Sequence, residues 1–260
     1  MDKSRNGRLP FEASGRIPFN LSTYDLTIDV SGNGGQEFYD DAESLVTCVV
    51  DAGEAGILPD EGIPPQASAM ELLSRKTIAE DRIQFVCRAR NIHLSAYRML
   101  LNMFAQLHQL SQPWRRVHMD YSPEAAESIR LDDPQIGQVS FLRRWSPLPF
   151  KLALEEFGSQ VDMHTVRIEF AKRLEPAHFD VVGAALENWA LLIMFGAYRD
   201  TFEVMEDFSI TPGEIYVVDP YTVEQTIRAF RAPDIVFEGV INFAVKLHFT
   251  LLSVANLEIV

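Results

Sequence analysis

A carboxylate, an imidazole and a guanidinium held on one surface can shuttle protons or grip a polar ligand. Alternation within three strand-like stretches of this chain gathers such a set. His118 and Asp120 share one side of 115–121, Asp25, Thr27 and Asp29 one side of 24–30, and Gln84, Arg88 and Arg90 one side of 82–90. Asp29, Arg88, His118 and Asp120 are therefore the candidate ligand-binding residues, expected on a sheet face that no helix covers. The competing explanation is plain: antiparallel sheets commonly keep one face polar and wet.

Other chemistry finds little support. Ser31-Gly32-Asn33-Gly34-Gly35 sits between a strand and a helix, as phosphate-binding loops do, but it matches neither glycine-rich phosphate pattern. Glu37, Asp40 and Asp41 would also repel an anion at that helix terminus. Cys48 and Cys87 fall on apolar faces, so both read as small buried hydrophobes rather than nucleophiles. His108 and His248 stand on helices without the clustered ligands that a metal needs. No catalytic residue, metal ligand or cofactor is assigned.

The net charge is −14, and between Arg16 and Arg75 there are eleven Asp or Glu residues and no Lys, Arg or His. Such a field repels nucleic acid, whose binding requires clustered cations, and attracts a basic protein partner. Within this segment Phe38, Ala42, Leu45 and Val49 recur at helical spacing. Asp40, Asp41, Glu43 and Glu54 lie off that stripe and are the candidate partner-binding residues. A solvated, soluble helix face is the simpler account of the same charges.

The elements that must position these groups are written twice, about 140 residues apart. Leu9-Pro10-Phe11 recurs as Leu148-Pro149-Phe150, and the strand-like run 24–30 is answered by 164–170. Helices beginning near Phe38 and Phe179 correspond, as do strands at 70–77 and 212–219, strands at 82–90 and 224–230, and apolar helices after His93 and Pro233. A strand closes each copy, at 115–121 and 256–260. Four residues between 77 and 82 can turn a hairpin but cannot make a crossover. The order strand, helix, strand, strand, helix, strand resembles the ferredoxin-like, or split βαβ, unit.

The expected fold is thus α+β, a tandem duplication of a ferredoxin-like (βαββαβ) unit with antiparallel sheets and helices on one face. The units span 8–121 and 147–260, joined by a linker at 122–146 in which Gln138 to Leu142 suggests an extra strand. Helices 184–195 and 234–253 are apolar nearly all round, so their surplus surface is expected against the other unit or, in a homo-oligomer, another subunit.

At 260 residues and 47% apolar the chain can bury real cores. Met1 to Gly7 is charged with no apolar run behind it, and 189–198 is about half a bilayer span, so neither leader, anchor nor membrane partner is expected. Two cysteines suit a reducing, cytoplasmic setting. With no chemical signature rising above the scaffold, the function expected is a non-catalytic acidic binding protein of the cytosol, such as an inhibitor or toxin-neutralising, immunity-like protein. The alternative is a small-ligand binder or enzyme using the sheet face of the first unit or the cleft between units.

Overall fold

Strand β2 (Thr23–Gly32) alternates buried Tyr24, Leu26, Ile28 and Val30 with half-buried Asp25, Thr27 and Asp29, so its apolar face needs a helical cover. That cover and the rest of the fold appear in a computed structural model, which describes residues 9–19, 21–59, 62–111, 113–123, 127–141, 143–154, 163–199, 209–230 and 235–260. Among these residues the architecture is mixed α+β, with two sheets and four helices.

The first sheet contains β1 (Glu12–Pro18), β2, β3 (Ala69–Ala79), β4 (Arg82–Arg90), β5 (Trp114–Ser122) and β6 (Ser128–Arg130), ordered β3-β4-β2-β5-β1-β6. Its helices are α1 (Gln36–Glu54) and α2 (Ser95–Ser111). The second sheet contains β7 (Lys151–Leu154), β8 (Met163–Phe170), β9 (Ser209–Asp219), β10 (Thr222–Phe230) and β11 (Val254–Ile259), ordered β7-β11-β8-β10-β9. Its helices are α3 (Pro176–Met194) and α4 (Val236–Thr250). Residue ranges 36–54, 69–79 and 82–90 recur as 176–194, 209–219 and 222–230, the same 140-residue spacing that separates Cys48 from Asn188.

Both sheets depart from the expected antiparallel form. β1 runs parallel to β5, and β7 runs parallel to β11. Neither strand is conspicuous in the sequence, because β7 has four residues and β1 buries only Ile17 and Pro18. Gly15 in β1 is required by packing: its φ is +101°, and a Cβ there would lie 1.8 Å from the Met119 carbonyl oxygen of β5. The extra strand anticipated at 138–142 is absent from its described part. Residues 134–138 form a 3-10 turn, and 139–141 are irregular. Pro134 fixes the first turn, and Asp133 caps it by accepting from the Gln135 amide at 2.8 Å. Leu142 lies outside the described residues, and β6 supplies the additional linker strand by pairing antiparallel to β1.

Among the described residues α1 packs on α2 and on α3, and α3 packs on α4. α1 contacts β3 on one side and α3 on the other, while α3 contacts β9, so the apolar surface of α3 is met within the same chain. At the centre of this junction, residues 140 apart in sequence face each other: Asn188 Nδ2 donates to the Cys48 carbonyl at 2.9 Å, and Cys48 Sγ approaches the Asn188 carbonyl at 3.8 Å. On α2, Asn102 Nδ2 donates to the Ala197 and Arg199 carbonyls at 2.8 and 2.9 Å. These bonds compensate the burial of polar atoms where two helical layers meet. Trp189, Ile193 and Phe237 are all buried, and the Trp189 indole donates to the Val236 carbonyl at 2.8 Å. α3 begins at a reciprocal cap between Glu175 and His178, with Pro176 in its first turn. Among the described residues, no helix is long and apolar enough to cross a membrane.

Candidate functional site

Cross-strand register decides which polar residues of the first sheet meet. Asp29 stands opposite His118 on β5 and Gln84 on β4. Gln84 Nε2 donates to it at 3.2 Å, and Arg82 forms an ion pair with it at 3.2 Å. Arg88 faces Asp25 instead, with Nε 2.9 Å from Oδ1. His118 Nδ1 lies 3.1 Å from Ser14 Oγ, which also accepts from Arg116 Nε at 3.0 Å. Asp120 is opposite Thr27, and its carboxylate accepts from the Tyr121 amide at 2.9 Å. The structure therefore pairs Asp29 with His118, while Arg88 and Asp120 belong to other rows.

The outer face of the second sheet holds a tighter set that the sequence reading passed over. Tyr216, Glu224, Arg167 and Glu258 occupy one row across β9, β10, β8 and β11. Arg167 Nε donates to Glu224 at 2.8 Å and Nη1 to Glu258 at 2.8 Å, while the Tyr216 hydroxyl donates to Glu224. The Tyr216 and Arg167 hydrogen bonds hold the Glu224 carboxyl below its ordinary value, outweighing burial, which acts in the opposite sense. Strand alternation carried part of this signal, since Arg167 and Glu258 both lie on the polar side of apolar strands. Their mutual register was not available from it.

Cys48, Cys87, His108 and His248 make packing contacts. Burial pushes the Cys48 and Cys87 thiols up to about 12, the wrong direction for a nucleophile. His108 packs edge-on against Phe11, and His248 Nδ1 lies 3.0 Å from the Val254 carbonyl. Among the described residues, no group of three or more His, Cys, Asp or Glu side chains is arranged to hold a metal ion.

Two concavities flank the exposed face of α3. A cleft of about 420 Å³ lies between α1, α3 and α4, with Val181, Ala185, Phe243 and Leu247 among its apolar walls and Asp51, Glu54 and Lys246 among its polar ones. Lys246 is turned inward, donating to the Glu54 and Ser68 carbonyls, and its burial holds the ammonium below the ordinary lysine value. Burial raises the Asp51 carboxyl. A groove of about 490 Å³ lies on the other side of α3, against β9, and is lined by Phe179, Gly183 and Ile215 with Asp180, Glu187 and Glu214. Ala184 borders both.

Of the candidate docking residues, Glu54 lines the cleft. Glu43 is held by Arg75 at 2.9 Å, and Asp40 accepts from Gln36 at 2.6 Å. Asp41 is half-buried, and burial followed by the charges of Glu37 and Asp40 raises its carboxyl. Asp40 and Asp41 lie about 20 Å along α1 from Glu54, so the four do not form one cluster.

No family model and no curated protein matches the chain. Two similar solved structures are pitrilysin, at 8% identity with a TM-score of 0.23 over 89% of this chain and 37% of that one, and the ferredoxin protease FusC in complex with Arabidopsis ferredoxin, at 11% identity with a TM-score of 0.21 over 87% and 33%. The chain spans about a third of the length of these proteins. Likeness at this level transfers neither fold nor activity.

Proposed function

We propose that this chain is an acidic, non-catalytic binding protein that seats a basic segment of another protein along the exposed face of α3, and that its two halves are copies of one ferredoxin-like unit. The observation that carries the binding reading is the chemistry around α3. Asp51 and Glu54 on one side stand beside Val181, Phe243 and Leu247, and Asp180, Glu187 and Glu214 on the other stand beside Phe179 and Ile215, with Lys246 the one cation among the described lining residues. Such surfaces gain from burying the aliphatic stems of Lys or Arg while pairing their charged heads. The recurrence of 36–54, 69–79 and 82–90 as 176–194, 209–219 and 222–230 supports the duplication. We read the cytoplasm as the compartment, which suits two free, buried cysteines.

The test is a pull-down with the tagged protein from its own cell extract at low and high salt, beside the Glu54→Lys, Asp180→Lys, Glu187→Lys variant. A partner held at low salt, released at high salt and lost by the variant is expected. Retention by the folded variant with unchanged salt sensitivity would reject α3 as the docking face.

One observation favours a second reading, a polar small-ligand site on the first sheet. Ser14, His118 and Asp29 form a single cross-strand row, with the imidazole already bonded to the hydroxyl. His118→Ala with Asp29→Asn separates the two readings: loss of biological activity in this variant, with partner capture intact, would favour the sheet face.

A further inference from the structure

The two sheets end in corresponding edges that are finished differently. At the edge of the first sheet, α1 is tied to β3: Glu43 pairs with Arg75 at 2.9 Å, and the Tyr39 hydroxyl donates to the Ala79 carbonyl at 2.9 Å. At the same 140-residue spacing, α3 and β9 carry Phe179 for Tyr39, Gly183 for Glu43 and Ile215 for Arg75, so hydroxyl, carboxylate and guanidinium are all missing. The groove of about 490 Å³ lies there, and a Cβ built on Gly183 meets no neighbour within 4 Å.

We propose that this groove takes an extended basic segment of a partner protein as an added strand on the open edge of β9. The proposal rests on the reading of the chain as an acidic binding protein and specifies how the partner is held. Among the described residues, β9 is paired only with β10, so one side of its backbone is open to further hydrogen bonding. Tyr216, Val217 and Val218 on this edge are 43%, 46% and 50% exposed. The equivalent stretch of β3 carries Arg75 and Lys76, charges of the kind that discourage strand addition, whereas β9 has no cation from Ser209 to Asp219.

Charge selects the occupant. A second copy of β9 laid antiparallel across 214–219 would set Glu214 against Asp219, an unfavourable like-charge pair. A basic segment meets the opposite situation. Its inward residues lay Lys or Arg stems over Gly183 and Ile215 and carry their charges to Asp180 and Glu187, while its outward residues extend the apolar row beside Tyr216 and Val218.

The probe is a capped eight-residue peptide of alternating Lys and Val, compared with the same peptide N-methylated at alternate backbone amides, which keeps charge and side chains but removes the hydrogen bonds of one edge. The parent peptide is expected to bind at low salt and slow hydrogen exchange in β9, and N-methylation to weaken binding by about tenfold or more. The Gly183→Glu, Ile215→Arg variant, which rebuilds the first sheet's tie, is expected to lose binding similarly while its thermal midpoint holds. Gly183→Leu serves as a second filling variant. Equal binding of both peptides, or undiminished binding by a folded groove-filled variant, would overturn strand addition while leaving a basic docking face in place. Failure of the parent peptide to bind at low salt would also overturn it. If the cell-extract partner is still captured and is released by salt, the broader reading survives that failure; if no such partner is captured, both fall.

Discussion

Across the outer face of the second sheet, Tyr216, Glu224, Arg167 and Glu258 stand side by side on four neighbouring strands and satisfy one another, whereas the first sheet divides its polar face into separate pairs. There Arg88 holds Asp25, Arg82 holds Asp29, and Ser14 bridges His118 and Arg116. The network can anchor four strands because Glu224 is nearly buried and receives two kinds of donor. The Arg88–Asp25 pair stays solvated and contributes little to the fold, while Arg82 reaches a carboxylate that is itself only slightly exposed. Similar strand layouts can thus carry one connected polar row or several separate pairs.

The largest effect should come from the layer beneath these faces. Trp189 and Val49 are 140 residues apart and both buried in the helical interior. Trp189→Ala should cost about 3–5 kcal/mol and Val49→Ala about 2 kcal/mol, measured by urea unfolding. A Trp189 cost near zero would mean that the second half does not depend on its interior helix.

A direct test of the contrast replaces the central cation of each face. Arg167→Met should cost about 1–2 kcal/mol, allowing for screening of its half-exposed guanidinium, because it leaves two facing carboxylates without their donor. Arg88→Met should leave the unfolding midpoint unchanged within error, since Arg88 and Asp25 are both exposed and readily hydrated. Equal losses in the two variants would erase the distinction between network and pairs.

The smallest effect is the pH dependence of Glu224. Its folded carboxyl lies below the ordinary value of 4.5, so the folded state binds this proton less tightly than the unfolded chain. The resulting stabilisation is complete above about 4.5 and is lost as pH falls through the folded value. Urea midpoints from pH 7 down to 3 should therefore fall more steeply for the natural chain than for Glu224→Gln. Parallel curves would show that the network does not bias this group.

The longer helices and strands were legible in short-range periodicity. β4 occupies 82–90 as expected, the expected strand at 70–77 lies within β3, and the apolar stripe that begins at Phe38 lies on α1. The 140-residue spacing of 36–54, 69–79 and 82–90 from 176–194, 209–219 and 222–230 was also legible, as was the burial of Trp189, Ile193 and Phe237. Short strands escaped: β7, with four residues, and β1, with little buried surface, are stabilised by neighbours that close each sheet rather than by any pattern of their own.

Register and facing partners were decided only by the tertiary structure. His118 and Glu258 are 140 residues apart, yet His118 faces Asp29 while Glu258 faces Arg167, two residues from the position that the spacing alone would give. β8 as a whole is displaced, since Thr222 likewise faces Glu169 where the spacing from Arg82 and Ser31 would give 171. A two-residue slip of one strand alters every pairing it makes while leaving composition and alternation intact, so cross-strand chemistry cannot be read from either strand alone. The groove has the same origin. Gly183 and Ile215 look unremarkable in the chain, and their meaning emerges where α3 crosses β9 and leaves unbridged a junction that Glu43 and Arg75 close in the first sheet.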